Sequence, residues 1–207
     1  LDADVTVSSE TLNASWEQAG QAIVGGASLG GGIGSSYSLI SSSVDLGEFW
    51  LVVGAPSAGL GEGLVRIYEF NLASRQWVAL GADLLGATSG EQFGSVVAGS
   101  LSSADKYLAV SSPNATVGPF SGAGQVNVYR YNDTTSIWES VGTSFDGNTT
   151  NENYGRDLAM SPDAGRLFVA SESTIDAYVF NAVSDQYDLV ASTPFPALKL
   201  SLSENGD

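Results

Sequence analysis

Apolar residues along this 207-residue chain come in short runs, rich in Val, Ile, Tyr and Phe. Several runs alternate: Val65 and Ile67 flank Arg66, and Val126 and Val128 flank Asn127. A two-residue period puts successive side chains on opposite faces of a strand. No segment carries a convincing helical period. The breaks hold Gly, Pro, Asn, Asp and Ser, as in SPDAG at 161–165 and YNDTTS at 131–136, and predict turns between antiparallel neighbours.

The runs recur. Trp16, Trp77 and Trp138 stand 61 residues apart, Gly20, Gly81 and Gly142 keep the same register, and Tyr68–Tyr129 and Gly94–Gly155 repeat the interval. A fixed period of this length marks a repeat architecture. Each unit carries four segments. The first is IGSSYSLIS, FGSVVAGSL or YGRDLAMSP; the second FWLVVGAPS, YLAVSSP or RLFVAS. The third is GLVRIYEFN, GQVNVYRYN or TIDAYVFN; the fourth RQWVALG, IWESVG or QYDLVAS, with Tyr187 in place of Trp. Tyr178 follows Tyr129 by only 49 residues because SSPNATVGPFSGAG shrinks to SEST, a loop change that spares the strands. The expectation is an all-β fold: a β-propeller-like array of four-stranded antiparallel blades, about 3.5 repeats of about 61 residues with permuted ends. It forms one domain over 1–207, with units at about 1–41, 42–101, 102–161 and 162–207.

Phe93-Gly94 and Gly54-Ala55-Pro56 spell FG and GAP, with degraded copies at Ile33-Gly34, Tyr154-Gly155, Ser112-Pro113 and Phe195-Pro196. On these motifs the chain resembles the FG-GAP repeats of integrin α-chain propellers and their secreted microbial and algal relatives. The aromatic is expected to plug the gap between blades, and Gly to admit close backbone approach. The resemblance also implies calcium loops in many blades. Here those loops read SSADK, SPDAG and SENGD, and Asp105, Asp163, Glu204 and Asp207 offer too few oxygens for a six- to eight-oxygen cage. They read as plain turns. The acidic run FDGNTTNEN at 145–153 reads as a solvated, glycosylated connection.

A hydrophobic fraction of 43% with 14% charged residues permits a real core. The net charge of −16 disfavours nucleic acid and anionic membranes, and no run is long enough to span a bilayer. Neither a basic n-region nor an apolar leader opens the chain at Leu1, so a signal peptide is expected to be already removed, or the chain to be an excised piece. Four sequons, at Asn13, Asn114, Asn132 and Asn148, point to N-glycosylation and an extracellular or cell-surface location.

With no His and no Cys, His-based triads, thiol nucleophiles and the common zinc sets are excluded. The reading is therefore no enzyme, with no catalytic, metal or cofactor-binding residue and no cofactor. Arg156 and Asp157 read as an edge-exposed ion pair rather than a buried one. GGASLGGGIG at 25–34 lacks the Lys of a phosphate loop and reads as a flexible connection. The recurring Trp residues read as inter-blade packing rather than a sugar-stacking face, with Trp50 unassigned.

ADVTV at the start matches a third strand and ALKLSLSENGD at the end a first strand, with no second strand to join them. Three arrangements stay open: a piece of a longer propeller, a small closed ring, or copies joined head to tail. The functional expectation is an extracellular structural or adhesive glycoprotein, a scaffold for protein contact that pairs with copies of itself through open strand edges and assembles into a filament. The alternatives are a carbohydrate- or calcium-binding propeller module, and a non-catalytic propeller fragment of a larger secreted or cell-surface protein.

Overall fold

The computed structural model describes residues 20–23, 35–41, 49–101, 105–194 and 199–202. It is all-β, with three antiparallel sheets and no helix among the described residues. The first sheet is a meander of β1 (Ser36–Ser41), β2 (Phe49–Ala55), β3 (Leu64–Asn71) and β4 (Gln76–Ala79). A two-residue strand, β5 (Leu84–Leu85), returns to pair with β3. The second sheet repeats this with β6 (Val97–Leu101), β7 (Lys106–Ser112), β8 (Gln125–Asn132), β9 (Ile137–Ser140) and the short β10 (Phe145–Asp146). The third runs β11 (Asp157–Met160), β12 (Arg166–Ala170), β13 (Thr174–Asn181) and β14 (Gln186–Pro194).

Every predicted segment from IGSSYSLIS to QYDLVAS forms its strand. The strand that closes each of the sequence units ending at 41, 101 and 161 is the first strand of the following sheet, because it pairs in register with the second: Tyr37 opposes Val53, and Val97 opposes Val110. The shortened connection is the three-residue link 171–173, against 113–124 in the second sheet.

Sequence periodicity explains the layering. In β7, Leu108 and Val110 join a core shared with Trp50, Val52, Val65 and Ile67 of the first sheet. Tyr107 and Ala109, on the opposite face, join a core with Leu158, Leu167, Val169 and Tyr178 of the third. The middle sheet is thus buried on both faces, and β7 reads as a continuous apolar run rather than a clean alternation. The first strands β1, β6 and β11 lie beside one another in turn. Among the described residues the sheets close neither into a barrel nor into a full ring.

Close backbone approach sets the spacing between sheets. Gly63 bridges Phe93, and a Cβ built on Gly63 would stand 2.1 Å from the Phe93 carbonyl oxygen. Gly124 meets Tyr154 in the same way, 61 residues on, at 2.3 Å. At the other side of the contact, the Gly94 N–H donates to the Ser111 carbonyl at 2.9 Å, and the Gly94 carbonyl accepts from Ser36 Oγ at 2.7 Å. A Cβ on Gly54 would collide with that carbonyl. The aromatic–Gly pair is therefore a wedge held between two sheets.

β14 departs from the pattern. β4 and β9 each end near a positive-φ glycine, Gly81 or Gly142, which turns the chain out of the sheet. Ala191 holds that position in the third sheet, so the strand continues past a bulge to Pro194 and itself pairs with the start of β13.

Gly63→Ala is expected to cost about 3–5 kcal/mol, because a carbonyl blocks the Cβ and φ is +83°. Gly90→Ala, with φ +82° and open space around it, isolates the backbone term and is expected to cost only about 1–2 kcal/mol. Urea unfolding of both variants checks this; equal losses would show that the contact with Phe93 contributes nothing.

Candidate functional site

Where the first strands meet, their opening residues surround a cavity of about 470 Å³. Ser36, Val96 and Asp157 line it at corresponding places in the three sheets, together with Ser95, Arg156 and Lys199. A second cavity of about 370 Å³ shares Val97, Leu158 and Leu200 with it and runs on past Gly99, Met160 and Leu202. The two adjoin as an open channel along the first strands, with its more polar part, the mouth, at the strand starts.

Asp157 is buried at this mouth, and its Oδ2 accepts the backbone N–H of Leu200, tying residues 199–202 to β11. Arg156 does not pair with Asp157. Its guanidinium donates to Glu172 Oε2 at 2.6 Å, so the expected exposed pair between the two neighbours is replaced by two separate contacts. Arg156 lies on the bend before β11, and Asp157 is the first residue of the strand. The mouth can hydrogen-bond a small polar solute, with cationic and anionic groups both in reach.

A phenol cluster is buried in the core between the second and third sheets. Tyr154 donates to Asp176 Oδ2 at 2.7 Å and lies 2.6 Å from the Tyr178 hydroxyl, while Asp176 Oδ1 is buried with no partner. Burial, and then the hydrogen bond to Tyr178, push the Tyr154 phenol well above its ordinary value. Burial raises Tyr178 and Tyr187 as well, and pushes Tyr129 up to about 12. The Tyr187 hydroxyl donates to the Ala164 carbonyl at 2.5 Å.

The other candidate residues disperse. Asn114 and Asn148 are exposed, in connections at the same end of the strands as the channel mouth. Asn132 ends β8 with its side chain occupied: Oδ1 accepts from the Thr134 and Thr135 N–H groups, and Nδ2 donates to Glu139 at 2.8 Å. Asn71 and Asn181 make the same turn in the other sheets, so Asn132 is a repeat turn residue. Asn13, Trp16, Glu204, Asp207 and the 25–34 glycine run lie outside the described residues. Asp163 caps its turn, accepting from Ser161 Oγ at 2.6 Å and the Gly165 N–H, and the Ser161 bond leads the causes that lower its pKa. Among the described residues no three acidic side chains converge on one point.

The run at 145–153 is more structured than its composition suggests. Phe145–Asp146 is β10, and Glu152 folds the loop by accepting the Asn148 and Thr149 N–H groups. Glu91, 61 residues earlier, folds its loop by accepting the Ala87 N–H and the Thr88 hydroxyl. That spacing was the signal available in the sequence. Trp50 is fully buried, edge-on to Trp138 at 5.9 Å, which removes it as a sugar-stacking residue.

No known family matches the sequence, and no curated protein matches it either. Similarity appears in the fold. Hydrazine synthase of Kuenenia stuttgartiensis superposes with a TM-score of 0.50 at 13% identity, over 81% of this chain and 53% of that one. An auxiliary nutrient-binding protein of Bacteroides thetaiotaomicron VPI-5482 aligns at a TM-score of 0.38 and 12% identity, over 84% of this chain and 46% of that one. The chain spans about half the length of each. The likeness to hydrazine synthase concerns a β-rich fold and not chemistry.

The raised phenols give a pH dependence with a definite sign. Below the ordinary tyrosine value of about 10 their contribution is complete; as pH rises from there through the folded values it is lost, because the unfolded chain ionises first. Tyr154→Phe is expected to cost about 1–3 kcal/mol at neutral pH by leaving Asp176 buried without its donor, and to make the alkaline loss shallower by one group. Denaturant unfolding across alkaline pH, read with tyrosinate absorbance, tests it. Ionisation of every phenol while the β signal persists would contradict it.

Proposed function

We propose that this chain is a propeller-type array of FG-GAP-like repeats acting as an extracellular structural or adhesive scaffold for protein contact. The observation that carries this reading is the recurring wedge: Phe93-Gly94 between the first and second sheets, Tyr154-Gly155 between the second and third. It gives the FG and GAP positions one shared physical role, backbone packed on backbone across a sheet junction. A rigid series of sheets of this kind presents loops and faces for contact without moving parts.

The exposed Asn114 and Asn148 suit a glycoprotein, with sugars on the end of the sheets that carries the channel mouth. A glycan on Asn132 Nδ2 would crowd a side chain already bound to Glu139, Thr134 and Thr135 in the turn. A second reading, a binding module for a small polar ligand such as a sugar, is favoured by the channel mouth with Arg156, Asp157 and Lys199.

Glycan mapping of the chain secreted from a eukaryotic host is expected to find sugars at Asn114 and Asn148 and an unmodified Asn132; sugar at Asn132 in the folded fraction would overturn that assignment. Location has its own test. Antibodies against the chain should label intact, unpermeabilised source cells or their surroundings, and label confined to the cytosol would rule the extracellular reading out.

A further inference from the structure

Each sheet has one face toward the preceding sheet and one toward the following sheet. On the following-sheet side, Val52, Val65, Ile67 and Leu80 of the first sheet are buried against the second. Ala109, Val126, Val128 and Val141 hold the same pairing positions in the second sheet and are equally buried. In the third sheet these positions are Phe168, Ile175, Ala177 and Val190. They are apolar too, but less covered. Val190 is 59% exposed where Leu80 and Val141 are 9% and 2%, Phe168 and Ile175 are half-buried, and neighbouring Val179 is 40% exposed.

The opposite face of the first sheet mirrors this. Trp138, Tyr131 and Val97 of the second sheet are buried against the first. Their counterparts Trp77 and Phe70 are half-buried and Tyr37 is 75% exposed, beside Leu39 at 64%. Gly20 and Gln21 cover part of Trp77: Gln21 clamps its backbone N–H and carbonyl, and Gly20 sits under the ring as Gly81 sits under Trp138.

The chain thus carries two open apolar faces, and its own two junctions show that faces of these two kinds fit each other. We propose that the Phe168–Val190 face of one copy receives the Tyr37–Leu39 face of a second copy, continuing the series of sheet junctions across a heterologous, head-to-tail interface. This rests on the scaffold reading and supplies its self-association surface. The contact is apolar between copies that each carry −16, so association strengthens as salt screens their repulsion.

Sedimentation velocity of the full chain over a concentration series, at low and high salt, tests the proposal with two variants. Val190→Asp spoils one face and Leu39→Asp the other; both positions are more than half exposed, and circular dichroism verifies the fold. The wild type is expected to form concentration-dependent oligomers favoured by salt, and each variant alone to be monomeric. Because each variant keeps the face the other has lost, their mixture is expected to form one-to-one dimers. Leu60→Asp, on an exposed loop away from both faces, is expected to leave assembly unchanged. A wild type that stays monomeric, as when another unit of the same polypeptide covers both faces, overturns the proposal, as do variants that still assemble or a mixture that yields no dimer. Monomeric behaviour leaves the extracellular scaffold reading to the cell-labelling result, so the two fail separately.

Discussion

Backbone packed directly on backbone between sheets is the constraint from which the rest of the architecture follows. Gly63 against Phe93 and Gly124 against Tyr154 bring chains closer than any Cβ permits, and the peptide groups there stay hydrogen-bonded. With that spacing fixed, the large side chains lock across the junction. Trp138 reaches over to donate its Nε1–H to the Leu80 carbonyl at 3.0 Å and lies edge-on to Trp50. The close contacts and the aromatic contacts occur at different heights of the same junction, so neither face can slide without losing both.

Much of this was legible in the sequence because it repeats. The period of 61 located the strands and the aromatic–Gly pairs together, whereas the two core faces of β7, a continuous apolar run, show only in its packing. What escaped was whatever lacked an apolar pattern. β5 and β10 are two residues long, too short to show alternation, and are held by pairing to the distant starts of β3 and β8. The Glu91 and Glu152 loops were hidden by their polar composition, since nothing in a run of Asn and Thr distinguishes a capped loop from a solvated one. Their common spacing was the one available clue.

The site was less legible than the fold. Arg156 and Asp157 are adjacent in sequence, which suggested a pair, yet the bend that ends at the start of β11 leaves them with different partners in Glu172 and Leu200. Asn132 satisfies the sequon pattern and the turn pattern at once, and only its hydrogen bonds decide between them. The channel mouth assembles from residues more than a hundred positions apart: those that follow the aromatic–Gly pairs, where side-chain type varies from repeat to repeat, and Lys199 and Leu200.

Because each core is shared by two adjacent sheets and by no third, stability in this chain is a nearest-neighbour quantity. The middle sheet draws on two junctions and each outer sheet on one. Opening is therefore expected to be graded along the chain, from β14 and the far edge of the first sheet, each held by one junction, to β7 and β8, held by two. The molecule behaves less as one cooperative block than as a short line of coupled units with its most persistent part at the centre.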